Sequence, residues 1–200
     1  MLRIRDFIKE WPVIFPANTQ PWEFTTSLSD LIVHLIPTLD ADYIVDKGIA
    51  IHKTAIVEEA VILKAPIIIG PNCFIAAHAY LRGGVYLGDA VTIGPGCEIK
   101  SSILLSHSST AHFNFIGDSI IGSYVNFEAG AVIANHYNEK ADKKINVYHD
   151  GKVIATNTEK FGALIGDHCK VGANAVLSPG TVLAPHSIVK RLELVDQSIT

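Results

Sequence analysis

The sequence predicts an all-β protein: a parallel β-helix of hexapeptide repeats, with a small helical segment before it and one long excursion within it. Three observations carry this. Aliphatic residues recur at every sixth position, from Ile51 through Val57, Leu63 and onward to Leu105, and again from Ile165 to Val189. Two positions before each stands another residue, mostly small or β-branched, such as Ala55, Cys73, Ala79, Val85 or Ala175. Glycine, proline, asparagine and aspartate cluster between the beats, in "IGPN", "LGDA", "IGPG" and "IGDH", where tight turns need them. A period of six matches neither a 3.6-residue helix nor a simple hairpin. It matches very short parallel strands, three to a coil, whose side chains at i and i−2 both point inward because strand side chains alternate. Six or seven coils stacked at about 4.8 Å give a prism on the order of 30 Å tall.

Taken in order, residues 1–45 form a helical cap segment and residues 46–200 the β-helix. "TTSLSDLIVHLIP" puts Leu28, Leu31, Ile32 and Leu35 on one helical face, with Ser27 and Asp30 at capping spacing and Pro37 as a stop. A solenoid has open edges at both ends, so this segment is expected to cover one of them, with Trp11, Trp22 and Phe24 as its packing residues. Residues 134–162 interrupt the repeat. Within them "KINVYHDGKVIATN" reads as two alternating runs joined by an Asp-Gly turn, a hairpin expected to project from one corner of the prism. Just before it the beat slips. From Leu105 the inward positions run Ala111, Ile116, Ile121, Phe127 and Ile133, so that two steps are five residues long. A shortened corner re-aims side chains, as a bulge does in a sheet.

The composition narrows the function. Net charge is −4 and the 16 lysines and arginines form no run, which gives no groove for nucleic acid and no patch for an anionic membrane. Mean hydropathy is +0.30, yet no stretch of about 18 uncharged apolar residues occurs. Arg5, Asp6, Lys9 and Glu10 stand where a signal peptide needs an apolar core, so a cytoplasmic protein is expected. All three cysteines fall on inward positions and read as buried filler rather than metal ligands. His78, His107 and His112 sit at three different phases of the repeat, so no three-histidine metal site is expected from them.

The order "EIKSS", "AHFNFIGDSIIG", "VNFEAGAVIAN", "KFGALIGDHCKVGANAVLSPG" resembles the C-terminal acetyltransferase domain of bifunctional N-acetylglucosamine-1-phosphate uridyltransferases. It is closer still to the matching domain of archaeal-type sugar-1-phosphate nucleotidylyltransferases. The resemblance covers roughly residues 48–190 and implies a left-handed β-helix, a homotrimer with active sites between subunits, and acetyl-CoA as co-substrate. It implies His112 as general base, Glu98 and Asn126 as residues orienting the sugar, and Arg82 and Lys100 as holders of the sugar-1-phosphate. Lys160 matches a third cationic position, and Asn135 an asparagine that contacts the sugar and the thioester. Histidine suits the task, because an amine that arrives as ammonium must lose a proton near neutral pH before it attacks a thioester. The chain departs from the pattern at Phe115, where a tyrosine is usual, and at Glu128, where a glycine is usual. It departs again at Ala173, a serine position, and at Arg191, an alanine position. Lys190 and Arg191 are candidates for contacts to CoA phosphates. Residues 1–45 contain no glycine, so a phosphate-cradling loop is not expected there and nucleotidyl transfer is not supported. The alternative reading is a non-catalytic sugar-phosphate-binding or trimeric scaffold domain.

Overall fold

A computed structural model of the chain describes residues 2–16 and 18–197. Its core is the expected parallel β-helix. On the first face Ile51, Ile69, Leu87, Leu104, Ile121, Ile165 and Leu183 stand in register, one per coil. Val57, Ile75, Ile93, Thr110, Phe127, Val171 and Val189 do so on the second face. Leu63, Leu81, Ile99, Ile116, Ile133, Leu177 and Val195 form the third ladder. The described residues thus make seven coils whose inward side chains fuse into one apolar column. Cys73, Cys97 and Cys169 lie buried in that column, and burial pushes the Cys73 thiol up to about 11.

The first shortened step comes earlier than the sequence suggests, at Ile99 to Leu104 instead of Ala111 to Ile116. Leu104 and Thr110 point inward, in place of Leu105 and Ala111. The missing residue is lost at the corner between the third and first faces, before Leu104 rather than after Leu105. Adjacent leucines at 104 and 105 conceal this in the sequence. Strand Tyr80–Leu87 turns this corner with Gly83 and Gly84, whereas strand Glu98–Leu104 turns it with Ser101 alone, and a bulge marks the mismatch. One coil further on Asp118 takes the same place. Ser101 and Asp118 both have φ +47°, a left-handed residue closing a tight corner. Leu87 to Leu104 and Leu104 to Ile121 are therefore 17 residues apart, against 18 for Ile69 to Leu87.

The N-terminal segment covers a side of the prism, not its end. The outward residues of the first face are Ala50, Ile68, Tyr86, Ile103, Ile120, Leu164 and Val182, an unbroken apolar stripe. Leu2, Ile4, Phe7, Ile8, Trp11, Phe15, Trp22 and Phe24 pack into one cluster with it. The Phe15 ring meets Tyr86 edge-on at 5.0 Å, and Trp22 meets Phe161 at 6.0 Å. The first coil is closed instead by strand Tyr43–Asp46, which pairs antiparallel with Ile49–His52. An apolar stripe on one outer face needs covering more than a two-residue edge does. The helix runs Pro21–Leu35, starting well before Ser27. Gln20 and Glu23 form a reciprocal capping box and Pro21 occupies the first turn. Leu28 and Ile32 are fully buried, with Leu31 and Leu35 packed beside them.

Gly84 makes this docking possible. Its φ is +89°, and a Cβ there would lie 2.8 Å from the Ser29 Cα of the helix. Gly84→Val is expected to destabilise the fold by about 2–3 kcal/mol, read as a lower midpoint in urea unfolding. The excursion leaves the coil after Ile133, at the corner between the third and first faces, and re-enters at Ala163. Its hairpin, Asn146–His149 paired with Lys152–Ala155, turns on Asp150 and Gly151 with φ +50° and +71°. Rather than standing clear of the prism, it folds back: Ile145, Val147 and Phe161 are buried in the same cluster as the N-terminal segment.

Candidate functional site

The shortened corner gathers most of the polar chemistry. Arg82 and Lys100 are register partners on neighbouring coils, and each already holds a carboxylate. Arg82 donates from Nε and Nη2 to Glu98 Oε1 at 2.7 and 2.6 Å. Lys100 Nζ lies 2.7 Å from Asp118 Oδ2, and Asn135 Nδ2 donates to the same oxygen. His136 Nδ1 is 3.3 Å from Asn135 Oδ1. Lys160 is brought to this edge because Phe161 N–H donates to the Asn135 carbonyl at 3.1 Å, and its side chain is exposed. Arg82, Glu98, Lys100 and Asn135 thus meet along this edge, with the Lys160 backbone beside it. Asp118 was not assigned a role from sequence, although it anchors the network. Its signal was the "GD" falling on the shortened step, where a left-handed residue with a short polar side chain is favoured.

His112 stands at the opposite edge of the third face, on the corner shared with the second. Its imidazole is exposed and makes no hydrogen bond among the described residues, while its carbonyl accepts from Gly130 N–H. Phe115, half-buried, lies between the two edges as the register partner of Glu98. Glu98 and Phe115 therefore floor a shallow surface with His112 at one side and the Arg82–Lys100 edge at the other.

A groove of about 480 Å³ opens on the second face, over the coils that follow the one carrying His112, lined by Asn126, Glu128, Lys170, Gly172, Lys190 and Arg191 together with Ile188. Asn126 and Lys170 are register partners, and Ser109 Oγ donates to Asn126 Oδ1 at 2.7 Å. Glu128 accepts from Arg191 Nε and Nη2, both at 2.8 Å, and from Ala173 N–H at 2.9 Å. The Arg191 guanidinium, then the Ala173 amide, hold the Glu128 carboxyl below its usual range. The pair therefore exists at neutral pH, and its contribution is lost only as pH falls through that lowered value. Glu128 and Arg191 are turned toward each other rather than presented singly to a ligand. Lys190 is exposed, its backbone N–H held by Glu193 at 2.7 Å.

Three other histidines of the repeat have another place. His107, Tyr124, His168 and His186 stack their rings along the corner between the first and second faces, with centroids 4.7, 4.9 and 4.8 Å apart. No group of three metal-ligating side chains is assembled among the described residues, and no helix among them is long and apolar enough to cross a membrane.

The hexapeptide β-helix and the relatives it matches define an acetyltransferase-like domain. The chain belongs to the family described as the GMPPB C-terminal domain, whose model matches residues 64–191. It is 33% identical over 106 residues to a bifunctional sugar-1-phosphate nucleotidylyltransferase/acetyltransferase of Sulfurisphaera tokodaii, covering 53% of this chain and 26% of that protein. It is 36% identical over 106 residues to the bifunctional protein GlmU of Methanococcus vannielii, covering 53% and 25%. The match thus spans about a quarter of the length of these relatives. Among solved structures it is similar to AntD, an N-acyltransferase from Bacillus cereus in complex with dTDP and 3-hydroxybutyryl-CoA. That likeness has 16% identity and a TM-score of 0.41, over 78% of this chain and 73% of AntD.

Proposed function

We propose that this chain is an acetyl-CoA-dependent N-acyltransferase acting on an amino-sugar phosphate, with glucosamine-1-phosphate as the default acceptor. The observation that carries the reading is the position of His112. It stands one coil below Glu128, which lines the groove, and across Phe115 and Glu98 from Arg82 and Lys100. A thioester arm laid along the groove would end near the imidazole, and a sugar phosphate held by Arg82, Lys100 and Lys160 would bring its amine from the other side.

In this reaction the amine nitrogen attacks the thioester carbonyl as His112 takes its proton. The new N–C bond forms, the C–S bond breaks, and the proton passes to the departing thiolate. No covalent intermediate on the protein is required when both substrates are held in attack geometry. Glu98 and Asn126 would orient the sugar. Phe115 offers the acceptor an apolar face where a hydroxyl would otherwise reach its phosphate.

The outward ladder of the third face, Ile62, Tyr80, Phe115, Val132, Val176 and Leu194 around Glu98, supports packing against further copies of the chain in a homotrimer. The pairing of Arg82 and Lys100 with carboxylates of their own chain is the observation that favours the second reading, a sugar-phosphate-binding or scaffold domain without turnover. The test is thiol release from acetyl-CoA across amino sugars and their 1-phosphates. Acceptor-dependent release supports the transferase. Its absence in folded protein, with ligand-induced thermal stabilisation, supports the second reading.

A further inference from the structure

Glu128, Ala173 and Arg191 come from the fifth, sixth and seventh coils, and each is a position where the chain departs from the pattern it resembles. The structure shows them to be one unit. Three N–H donors, two from the guanidinium and one from the Ala173 backbone, converge on a single carboxylate. That donor set is equally suited to a phosphate, because a guanidinium fork matches either anion in bidentate fashion. The same groove holds two other cations, Lys170 and Lys190, and among the described residues neither ammonium has an ion-pair partner. Among the described residues, Glu128 is the only carboxylate in the lining. Two positive charges are therefore open to a ligand, and a third is cancelled from within.

We propose that Glu128 is the specificity-determining residue of this groove, an internal anion that a phosphate-bearing ligand must displace to reach Arg191 and the Ala173 amide. A singly charged ligand is satisfied by Lys170 or Lys190 and leaves the pair closed. A polyphosphate that spans the groove gains the third cation only by opening it. The pair can open because it is at the surface: the Arg191 side chain is 73% exposed and Glu128 37%. The change at Glu128 is also intelligible only with that at Arg191, since the carboxylate alone would repel any anion entering the groove. The inference rests on reading the groove as the acyl-CoA site, but it concerns any polyphosphate that enters.

The test is isothermal titration of acetyl-CoA and, separately, inorganic tripolyphosphate into the wild-type chain, Glu128→Gln, Arg191→Ala and the double variant. Glutamine keeps the shape of the side chain, and thermal melts verify that each variant is folded. Glu128→Gln is expected to bind both probes about 5–10-fold more tightly, tenfold being about 1.4 kcal/mol. Adding Arg191→Ala to Glu128→Gln is expected to abolish the gain and return binding to about the wild-type level, since the guanidinium is then no longer there to be reached. Unchanged or weaker binding by Glu128→Gln overturns the proposal, because Glu128 would then be holding Arg191 in place for the ligand. A double variant that binds as tightly as Glu128→Gln overturns it too, because the released guanidinium would then make no contact with the ligand. So does the binding of neither probe by any variant. If tripolyphosphate shows the gain and acetyl-CoA binds nowhere, the displacement stands and the acyl-CoA reading of the groove falls.

Discussion

His112→Ala is expected to lower acceptor-dependent thiol release by about 10²–10⁴-fold, with the loss in kcat rather than KM. On the proposed mechanism the amine must be neutral to attack, and the imidazole would take the proton the forming amide sheds. Removing it deletes a contribution made at the transition state. The substrates keep their holders, since Arg82, Lys100 and Asn135 lie at the far edge of the third face and make no bond to His112. Stability should hardly change, because the side chain is exposed and makes no hydrogen bond among the described residues. Lys160→Ala is the contrasting case: an exposed cation beside Asn135, its loss is expected to raise KM for the sugar phosphate several-fold at nearly unchanged kcat. Steady-state kinetics on both variants checks the pair of expectations. Equal activity of His112→Ala and wild type would exclude His112 as the base.

Asp118→Asn is expected to cost about 2–3 kcal/mol of folding stability. The Asp118 side chain is 9% exposed and that of its partner Lys100 20%. Asparagine tolerates the left-handed backbone that Asp118 adopts, so the corner itself should survive. What is lost is the charge opposite a largely buried ammonium and the acceptor that Asn135 shares with it. Urea unfolding gives the magnitude. A double-mutant cycle with Lys100→Met shows how much belongs to the pair, since removing both charges should recover part of the loss. If the single variant unfolds at the wild-type midpoint, the corner network is not structural, and its polar groups are held for the ligand alone.

The second prediction turns on a corner whose existence was readable and whose detail was not. The six-residue beat is a property of spacing, so the coil, its three faces and its cysteine-lined column could be written from the sequence. The Asp-Gly turn was readable for the same reason, because two successive left-handed residues demand that chemistry. The register was not fully readable. With leucine at both 104 and 105, either could keep the beat, and only hydrogen bonding to the neighbouring coils decides for Leu104. The apolar stripe from Ala50 to Val182 was present in the sequence as outward positions of one face. It reads as a surface only once the coils are stacked, which is why the N-terminal segment was expected at the end of the prism.

Among the candidate site residues, the sequence supplied the list and the structure sorted it. Arg82, Glu98, Lys100 and Asn135 meet along one edge with Lys160 beside it; Asn126, Glu128, Lys190 and Arg191 line a groove, with the Ala173 amide bound to Glu128; His112 lies in neither set. Residues 16 to 63 positions apart meet in these pairs, and sequence spacing carries no information on such contacts unless the repeat is exact. The sequence by itself determined the periodic part of this protein: the coil, the inward residues, the hairpin turn, and the residue types available for acyl transfer. The tertiary structure decided what periodicity leaves open, namely which coil closes with one residue fewer, which face the flanking segments cover, and which charges are spent on each other. The reason is physical. Local spacing fixes where a side chain points, but only stacking fixes what stands opposite it.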